Sequence, residues 1–142
     1  MEVNIQHRGG VQFEAEARGH RILCDQPVEN GGSDTGMTPP EFLLASLGTC
    51  AGYYAAQYLK MRSLPAEGLK VRVIANKATA PARLAKFQID VTVPGLTGPD
   101  AARHEAGILR AVKACLIHNT LLNTPTIETT VNSGRNRKAE AA

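Results

Sequence analysis

The feature that most constrains this chain is a stretch of 18 residues without a charged side chain, from Phe42 to Leu59. Thr38 and Glu41 precede it in the arrangement of a helix capping box, with proline in the first turn. We therefore expect a helix that starts here and runs to about residues 59–62. Since a helix without charges buries most of its surface, we place it at the centre of the protein, covered on nearly all sides.

Small residues recur along this stretch and would let another backbone approach closely. Glycine in a helix interior costs about 1 kcal/mol relative to alanine, so Gly48 and Gly52 predict a tight packing contact. The stretch also reaches the lower length limit of a membrane span, with a glycine spacing found in membrane helix pairs. Its polar residues, Ser46, Thr49 and Gln57, favour a buried helix instead. A second copy of the same helix is the default partner, which predicts a homodimer.

The chain contains three cysteines, Cys24, Cys50 and Cys115. An odd number, in a sequence whose start has no apolar signal segment, argues against a disulfide framework and predicts a cytoplasmic protein. Cys50 lies in the middle of the uncharged stretch, and Cys115 opens a second short segment. Composition alone favours packing over reactivity for each of these thiols. Cys24, on the third predicted strand, is expected to be structural.

His118 follows Cys115 with the spacing C-x-x-H. Two residues so placed can bind a metal, but no C-x-x-C or H-x-x-x-H pattern completes a zinc site, so no bound metal is expected. His118 could instead act as a base toward a thiol, while His7, His20 and His104 are expected at the surface. The net charge of +3, without basic runs interleaved with aromatic residues, gives no indication of nucleic-acid binding.

The remaining segments predict an α+β fold, because short alternating strands come before and between helical patterns. The expected elements are three antiparallel strands within 2–24, a hairpin over 69–80 and 84–93, a second helix over 100–114 with one or two helical turns after it, and a final strand over 126–131. No linker or repeat interrupts this order. We expect one domain over residues 1–142, with 134–142 as a frayed tail.

Two segments carry a resemblance to a known family. Asp25-Gln-Pro, followed by Gly-Gly-Ser-Asp-Thr-Gly-Met-Thr-Pro-Pro-Glu-Phe-Leu-Leu-Ala-Ser-Leu-Gly-Thr-Cys50, resembles the first cysteine segment of the OsmC/Ohr family. Cys115-Leu-Ile-His-Asn-Thr-Leu, followed by a proline and a last strand, is similar to the second cysteine segment. The resemblance covers most of the chain. It implies an OsmC-like fold, with antiparallel sheets wrapped around a long central helix, in an intertwined homodimer with active sites at the subunit interface.

The resemblance also implies a reaction, since the best-known members reduce organic hydroperoxides. Cys50 would attack the peroxide and become a sulfenic acid, and Cys115 would convert it to a disulfide. No cofactor is bound; an external dithiol, often lipoyl-linked in this family, restores the thiols. The implied partners are a second copy, a small hydroperoxide and this dithiol, with no nucleic acid and no membrane. The alternative is a member of the same fold that holds a small apolar ligand and has no efficient peroxidase activity.

In the peroxidatic members an arginine from the N-terminal strands lies beside the first cysteine. Arg8, at the end of the first predicted strand, is the best positional candidate for that cation, with Arg18 and Arg21 as alternatives. A cation there would help because the middle of a helix contributes little field to stabilise a thiolate.

The same members hold this arginine with a glutamate on the helix before the cysteine, and that position here is Pro40. Glu41 is the neighbouring carboxylate, nine residues before Cys50. Nine residues are about 2.5 helical turns, so Glu41 and Cys50 should point to opposite faces. Glu41 is also explained by the capping box, and its catalytic role is the weaker of its two interpretations.

Overall fold

The structure, a computed structural model, describes residues 1–133; the tail expected over 134–142 lies outside this range. The described chain is α+β, as predicted. Its elements are, in order, β1 (Asn4–Gly9), β2 (Gln12–Ala17), β3 (His20–Cys24), α1 (Pro39–Met61), β4 (Lys70–Thr79), β5 (Ala82–Thr92), α2 (Ala101–Lys113) and α3 (Leu116–Leu122). The long first helix, the second hairpin and the short helix after α2 all occur where the sequence predicts them.

β1, β2 and β3 form an antiparallel sheet in that order. The register sets Ile5 opposite Ala15, and Ala15 opposite Ile22, so these side chains share one face with Phe13. We call this the apolar face. It is largely uncovered: Ile5 is 62% exposed and Ile22 is 51% exposed. The opposite side, the polar face, carries Glu14 and Glu16 among other polar residues.

α1 forms the core of the rest of the molecule. Leu47, Ala51, Ala55 and Leu59 recur every four residues on one side of the helix and are buried. Two turns of α2 pack against this side and bury Ile108. The hairpin of β4 and β5 covers a second side of α1, mainly through β4. This packing holds α1 and α2 together across a long separation in sequence.

The expectation that α1 is covered on nearly all sides is wrong for the single chain. Ser46, Thr49 and Tyr53 form an exposed stripe along it. The reason is that β1, β2 and β3 contact mainly one another rather than α1. The Thr49 hydroxyl donates a hydrogen bond to the backbone carbonyl of Ala45, within the same helix, at 2.7 Å. The stripe therefore stays uncharged and open.

The final strand predicted over 126–131 is also wrong for the described chain. Residues 124–133 form neither helix nor strand, and Ile127 and Val131 are 83% and 90% exposed. The alternating pattern that suggested a strand is real. A strand also needs a neighbour for its backbone hydrogen bonds, and no strand within residues 1–133 pairs with this segment.

Candidate functional site

The structure brings together the two cysteines that the sequence analysis singled out. Cys50 lies in the middle of α1, and Cys115 lies in the connection between α2 and α3. Their sulfur atoms form a disulfide bond, and their Cα atoms are 6.0 Å apart, within the usual range for disulfides. Cys24 is half-buried at the end of β3 and forms no disulfide with either of them.

The two bonded cysteines differ in their access to solvent. Cys50 is partly exposed, whereas Cys115 has none of its surface exposed. A reagent from solution therefore reaches Cys50 first. The thiolate is the reactive form of cysteine, and a buried apolar environment disfavours it. Cys50 is consequently better placed as the nucleophile, and Cys115 as the thiol that attacks from inside the protein.

An apolar groove of about 530 Å³ opens between α1, β5 and α3. Leu43 and Leu47 line it from α1, in the two turns before Cys50. His118 lines it from α3, three residues after Cys115. The rest of its wall is aliphatic or aromatic. A concave apolar surface with a single polar group can accept a small apolar molecule in a defined orientation.

Glu41 lies at the start of α1 and acts as its cap. One carboxylate oxygen accepts hydrogen bonds from the Thr38 backbone N–H at 2.7 Å and from the Thr38 hydroxyl at 2.8 Å. Together with the charge of Lys77, these bonds lower the pKa of Glu41 against the opposing effect of burial. The capping box is confirmed. The Glu41 carboxylate is bonded to Thr38 and lies more than two helical turns before Cys50.

The candidate arginines lie in the N-terminal sheet. Arg8 forms an ion pair with Glu14, and Arg21 pairs with Glu16 at 3.0 Å. Arg18 lies in the turn between β2 and β3. Within residues 1–133, every ion pair belongs to this sheet, and none links it to α1. Arg8 therefore stays a prediction as the cation beside Cys50.

Asp25, a residue without a predicted role, organises the loop before α1. Its side chain is fully buried and accepts five hydrogen bonds, from Gln12, Gln26, Ser33 and twice from Thr35. The backbone N–H of Thr35 is the main cause that holds the pKa of Asp25 well below its usual range. An aspartate just before a glycine-rich polar loop was the available signal, because such side chains often bind nearby backbone N–H groups.

Metal and membrane roles receive no geometric support. Within the described residues, no three His, Cys, Asp or Glu side chains are grouped closely enough to hold a metal ion. Cys115, one half of the C-x-x-H pair, is already bonded to Cys50. Over the same residues, no helix has both the length and the apolar character needed to cross a membrane.

Comparison with protein families gives one match. The family described as OsmC-like protein matches residues 31–130, which include Cys50, Cys115 and the helices α1, α2 and α3. No match was found among curated protein sequences. The matched range covers well over half of the chain.

Comparison with solved structures gives matches over most of the chain. A protein named for an osmotic stress induced and detoxification response, from Psychrobacter arcticus, is 18% identical with a TM-score of 0.74, covering 83% of this chain and 85% of its own. An OsmC-like protein from Mycoplasma pneumoniae is 18% identical with a TM-score of 0.73, covering 87% of each chain. An organic hydroperoxide resistance protein from Legionella pneumophila is 17% identical with a TM-score of 0.59, covering 87% of this chain and 90% of its own. At these identities the likeness concerns the fold alone.

Proposed function

This chain belongs to the OsmC-like protein family, and we propose that it reduces organic hydroperoxides with Cys50 and Cys115, in defence against oxidative stress. The observation that carries the proposal is the pairing of a partly exposed thiol with a fully buried one, close to an apolar groove. The name of the Legionella neighbour, an organic hydroperoxide resistance protein, supports the substrate class. The proposed setting is the cytoplasm, where thiols are kept reduced.

The reaction follows from thiol chemistry in three steps. The Cys50 thiolate attacks one peroxide oxygen, the O–O bond breaks, and the alkoxide leaves and takes up a proton to become an alcohol. The sulfur of Cys50 is thereby oxidised to a sulfenic acid. Cys115 attacks that sulfur, and the disulfide forms with loss of water. An external dithiol of the lipoyl type then reduces the disulfide through a mixed disulfide and is itself oxidised.

A homodimer is part of the proposal. The apolar face of the N-terminal sheet and the open stripe of α1 are both left uncovered by their own chain. Exposed apolar surface of this kind is typical of interaction sites rather than of monomers. A second copy would cover both if the sheet of one copy packed on the helical region of the other.

Arg8 is the proposed cation beside Cys50 in that assembly. To act there, its side chain would leave the polar face at the end of β1 and exchange the carboxylate of Glu14 for the thiolate of Cys50. No helix glutamate is available to hold it, because Pro40 stands at the expected position and Glu41 caps the helix. We therefore expect slower turnover than an arginine held by a second carboxylate would give.

The test is consumption of cumene hydroperoxide with dihydrolipoamide as reductant. We expect the wild-type protein to turn over, Cys50→Ser to be inactive, and Cys24→Ser, the matched control, to keep full activity. Arg8→Ala should lose about 10²-fold or more in kcat/KM if it stabilises the thiolate. The proposal would be contradicted if the wild-type protein consumed no more peroxide than Cys50→Ser.

The second candidate function is binding of a small apolar ligand without efficient peroxidase activity. The ion pairs of Arg8 with Glu14 and of Arg21 with Glu16 favour it, because those two cations are already neutralised. The groove lined by Leu43 and Leu47 would hold the ligand. Saturable binding of a fluorescent fatty acid, lost in Leu47→Gln and accompanied by no peroxide consumption, would favour this function over the first.

A further inference from the structure

We propose that Tyr54 is a further catalytic residue, whose hydroxyl protonates the alkoxide that leaves when Cys50 attacks the peroxide. This inference rests on the proposed function, for which it names the proton donor of the first step. It arises from the place of Tyr54 on α1, from its contact with Tyr53 and from the side of the helix that it shares with Cys50 and the groove.

Tyr54 and Cys50 lie on the same side of α1 as two residues of the groove wall. Four side chains follow one another along this side with the spacing i, i+4, i+7 and i+11: Leu43, Leu47, Cys50 and Tyr54. Leu43 and Leu47 line the groove in the two turns before Cys50. Tyr54 follows Cys50 by about one turn. A molecule that lies in the groove with its reactive end at Cys50 would therefore meet Tyr54 at that same end.

Helix geometry directs the side chain of Tyr54 back toward Cys50. Residues four apart on a helix are neighbours, with Cβ atoms about 5–6 Å apart, and a long side chain lies over the turn before its own Cα. The turn before Tyr54 is the one that carries Cys50. The ring of Tyr53 packs edge-on against the Tyr54 ring, with centroids 5.5 Å apart and 84° between the planes. This contact limits the positions that the Tyr54 ring can take beside Cys50.

The hydroxyl of Tyr54 is also available, unlike its neighbours on α1. The Tyr58 hydroxyl is hydrogen-bonded to His104, and the Thr49 hydroxyl is bonded within the helix. Tyr53 is 61% exposed and belongs to the open stripe. Tyr54 is partly buried, and its hydroxyl has no hydrogen-bond partner among residues 1–133. It is therefore the phenol best placed to donate a proton next to Cys50.

The first step of the reaction creates the need for such an acid. The Cys50 thiolate attacks the terminal peroxide oxygen, two electrons pass from sulfur into the breaking O–O bond, and an alkoxide departs. A phenol is a much stronger acid than an alcohol, so the alkoxide takes the proton of Tyr54 as it forms. The products are the sulfenic acid of Cys50, an alcohol and a phenolate, which regains its proton from water. Atoms and charge then balance.

The test measures oxidation of the reduced protein in a single turnover, which requires no external dithiol. Parent and variants carry Cys24→Ser, because Cys24 is the cysteine outside the disulfide. Rapid quenching followed by titration of the remaining thiols gives the rate. With cumene hydroperoxide, we expect Tyr54→Phe to react at least about tenfold more slowly than the parent, since a general acid typically contributes about 10²–10⁴-fold and water replaces part of it.

The matched control is Tyr53→Phe, which removes the same atom from the adjacent ring and should react at the parent rate. A second substrate separates proton donation from a structural effect. Perbenzoic acid releases a carboxylate, a weak base that needs no proton, so Tyr54→Phe should react with it as fast as the parent does. A structural effect would slow both substrates by the same factor.

Three outcomes would overturn the inference. With cumene hydroperoxide, Tyr54→Phe could match the parent, or Tyr53→Phe could be slowed equally. With perbenzoic acid, Tyr54→Phe could be slowed as much as with cumene hydroperoxide. In each case the parent is still oxidised, and the proposed function stands. A parent that cumene hydroperoxide oxidises no faster than Cys50→Ser would instead reject the proposed function and this inference together.

Discussion

The N-terminal sheet and the helical region of this molecule, which consists of α1, α2, α3 and the hairpin of β4 and β5, differ in what covers their apolar side chains. In the helical region, Leu47 and Leu59 are almost completely buried between α1 and its neighbours. In the sheet, Phe13 is 41% exposed and Ile22 is 51% exposed, although both lie on one apolar face. The helical region has a buried core of its own. The apolar face of the sheet is left exposed by the rest of the chain.

The two regions also hold different parts of the site that the proposed function requires. Cys50, Cys115 and the groove belong to the helical region, whose elements pack around α1 and have few contacts with the sheet. The arginines proposed to activate Cys50 belong to the sheet. A chain that keeps its thiols in one region and its cations in another can combine them by pairing with a second copy. Under the proposed function, the dimer would then be a condition for activity as well as for burial.

The largest expected effect comes from a charge on the apolar face. Ile22→Lys should weaken self-association at least about 100-fold, because a lysine charge would be buried without a partner in each copy. The single chain should stay folded, since Ile22 is exposed within it. Sedimentation velocity over a range of protein concentrations measures the change, and peroxidase activity should fall together with the dimer fraction.

The matched control is Gln6→Lys, which adds the same charge to the polar face of β1, opposite Glu14. It should leave association within about twofold of wild type, since exposed charge changes have small effects. Equal sedimentation of wild type and Ile22→Lys would show that the apolar face is not the dimer surface.

The sequence predicted the parts of the structure that depend on local chemistry. The capping box of Thr38 and Glu41 and the limits of α1 follow from hydrogen bonding within one turn, and they occur as expected. Cys50 and Cys115 were singled out by their positions and by the family resemblance. Asp25 had no predicted role, because most of its hydrogen bonds come from backbone groups of a loop that has no periodic pattern. Two other expectations, a strand over 126–131 and the burial of α1 on nearly all sides, were wrong, because both depend on partners that the single chain does not provide.

A medium effect is expected in the helical region, at the contact between α1 and α2. Gly107 of α2 faces the ring of Tyr58, and a Cβ atom there would overlap that ring. The ring cannot easily move, because the Tyr58 hydroxyl is hydrogen-bonded to Nδ1 of His104 at 3.2 Å. We expect Gly107→Ala to lower the free energy of unfolding by about 1–3 kcal/mol, measured by urea denaturation at fixed protein concentration.

A double-mutant cycle sharpens this test. In a Tyr58→Leu background the overlap with the phenol ring is removed, so Gly107→Ala should become neutral or stabilising by up to about 1 kcal/mol from helix propensity. The same cost in both backgrounds would mean that Tyr58 does not limit the approach of α2 to α1. Unlike Ile22→Lys, neither variant alters the surface proposed for dimerisation.

The smallest effect is expected at the start of α1, where Glu41 caps the helix without taking part in its core. Its pKa is lowered in the folded protein, first by the Thr38 N–H and then by the Thr38 hydroxyl, so the charged carboxylate stabilises the fold. This contribution is complete above the pKa of the unfolded chain and is lost as the pH falls below about 4. Glu41→Gln should therefore lower the Tm by about 1–4 °C at pH 7 and by progressively less in acid.

The control is Glu67→Gln, which removes an exposed carboxylate in the turn after α1 and should leave the Tm unchanged at pH 7 and at pH 3. A Glu41→Gln deficit that persists undiminished at pH 3 would show that the side chain stabilises α1 through packing and not through its charge.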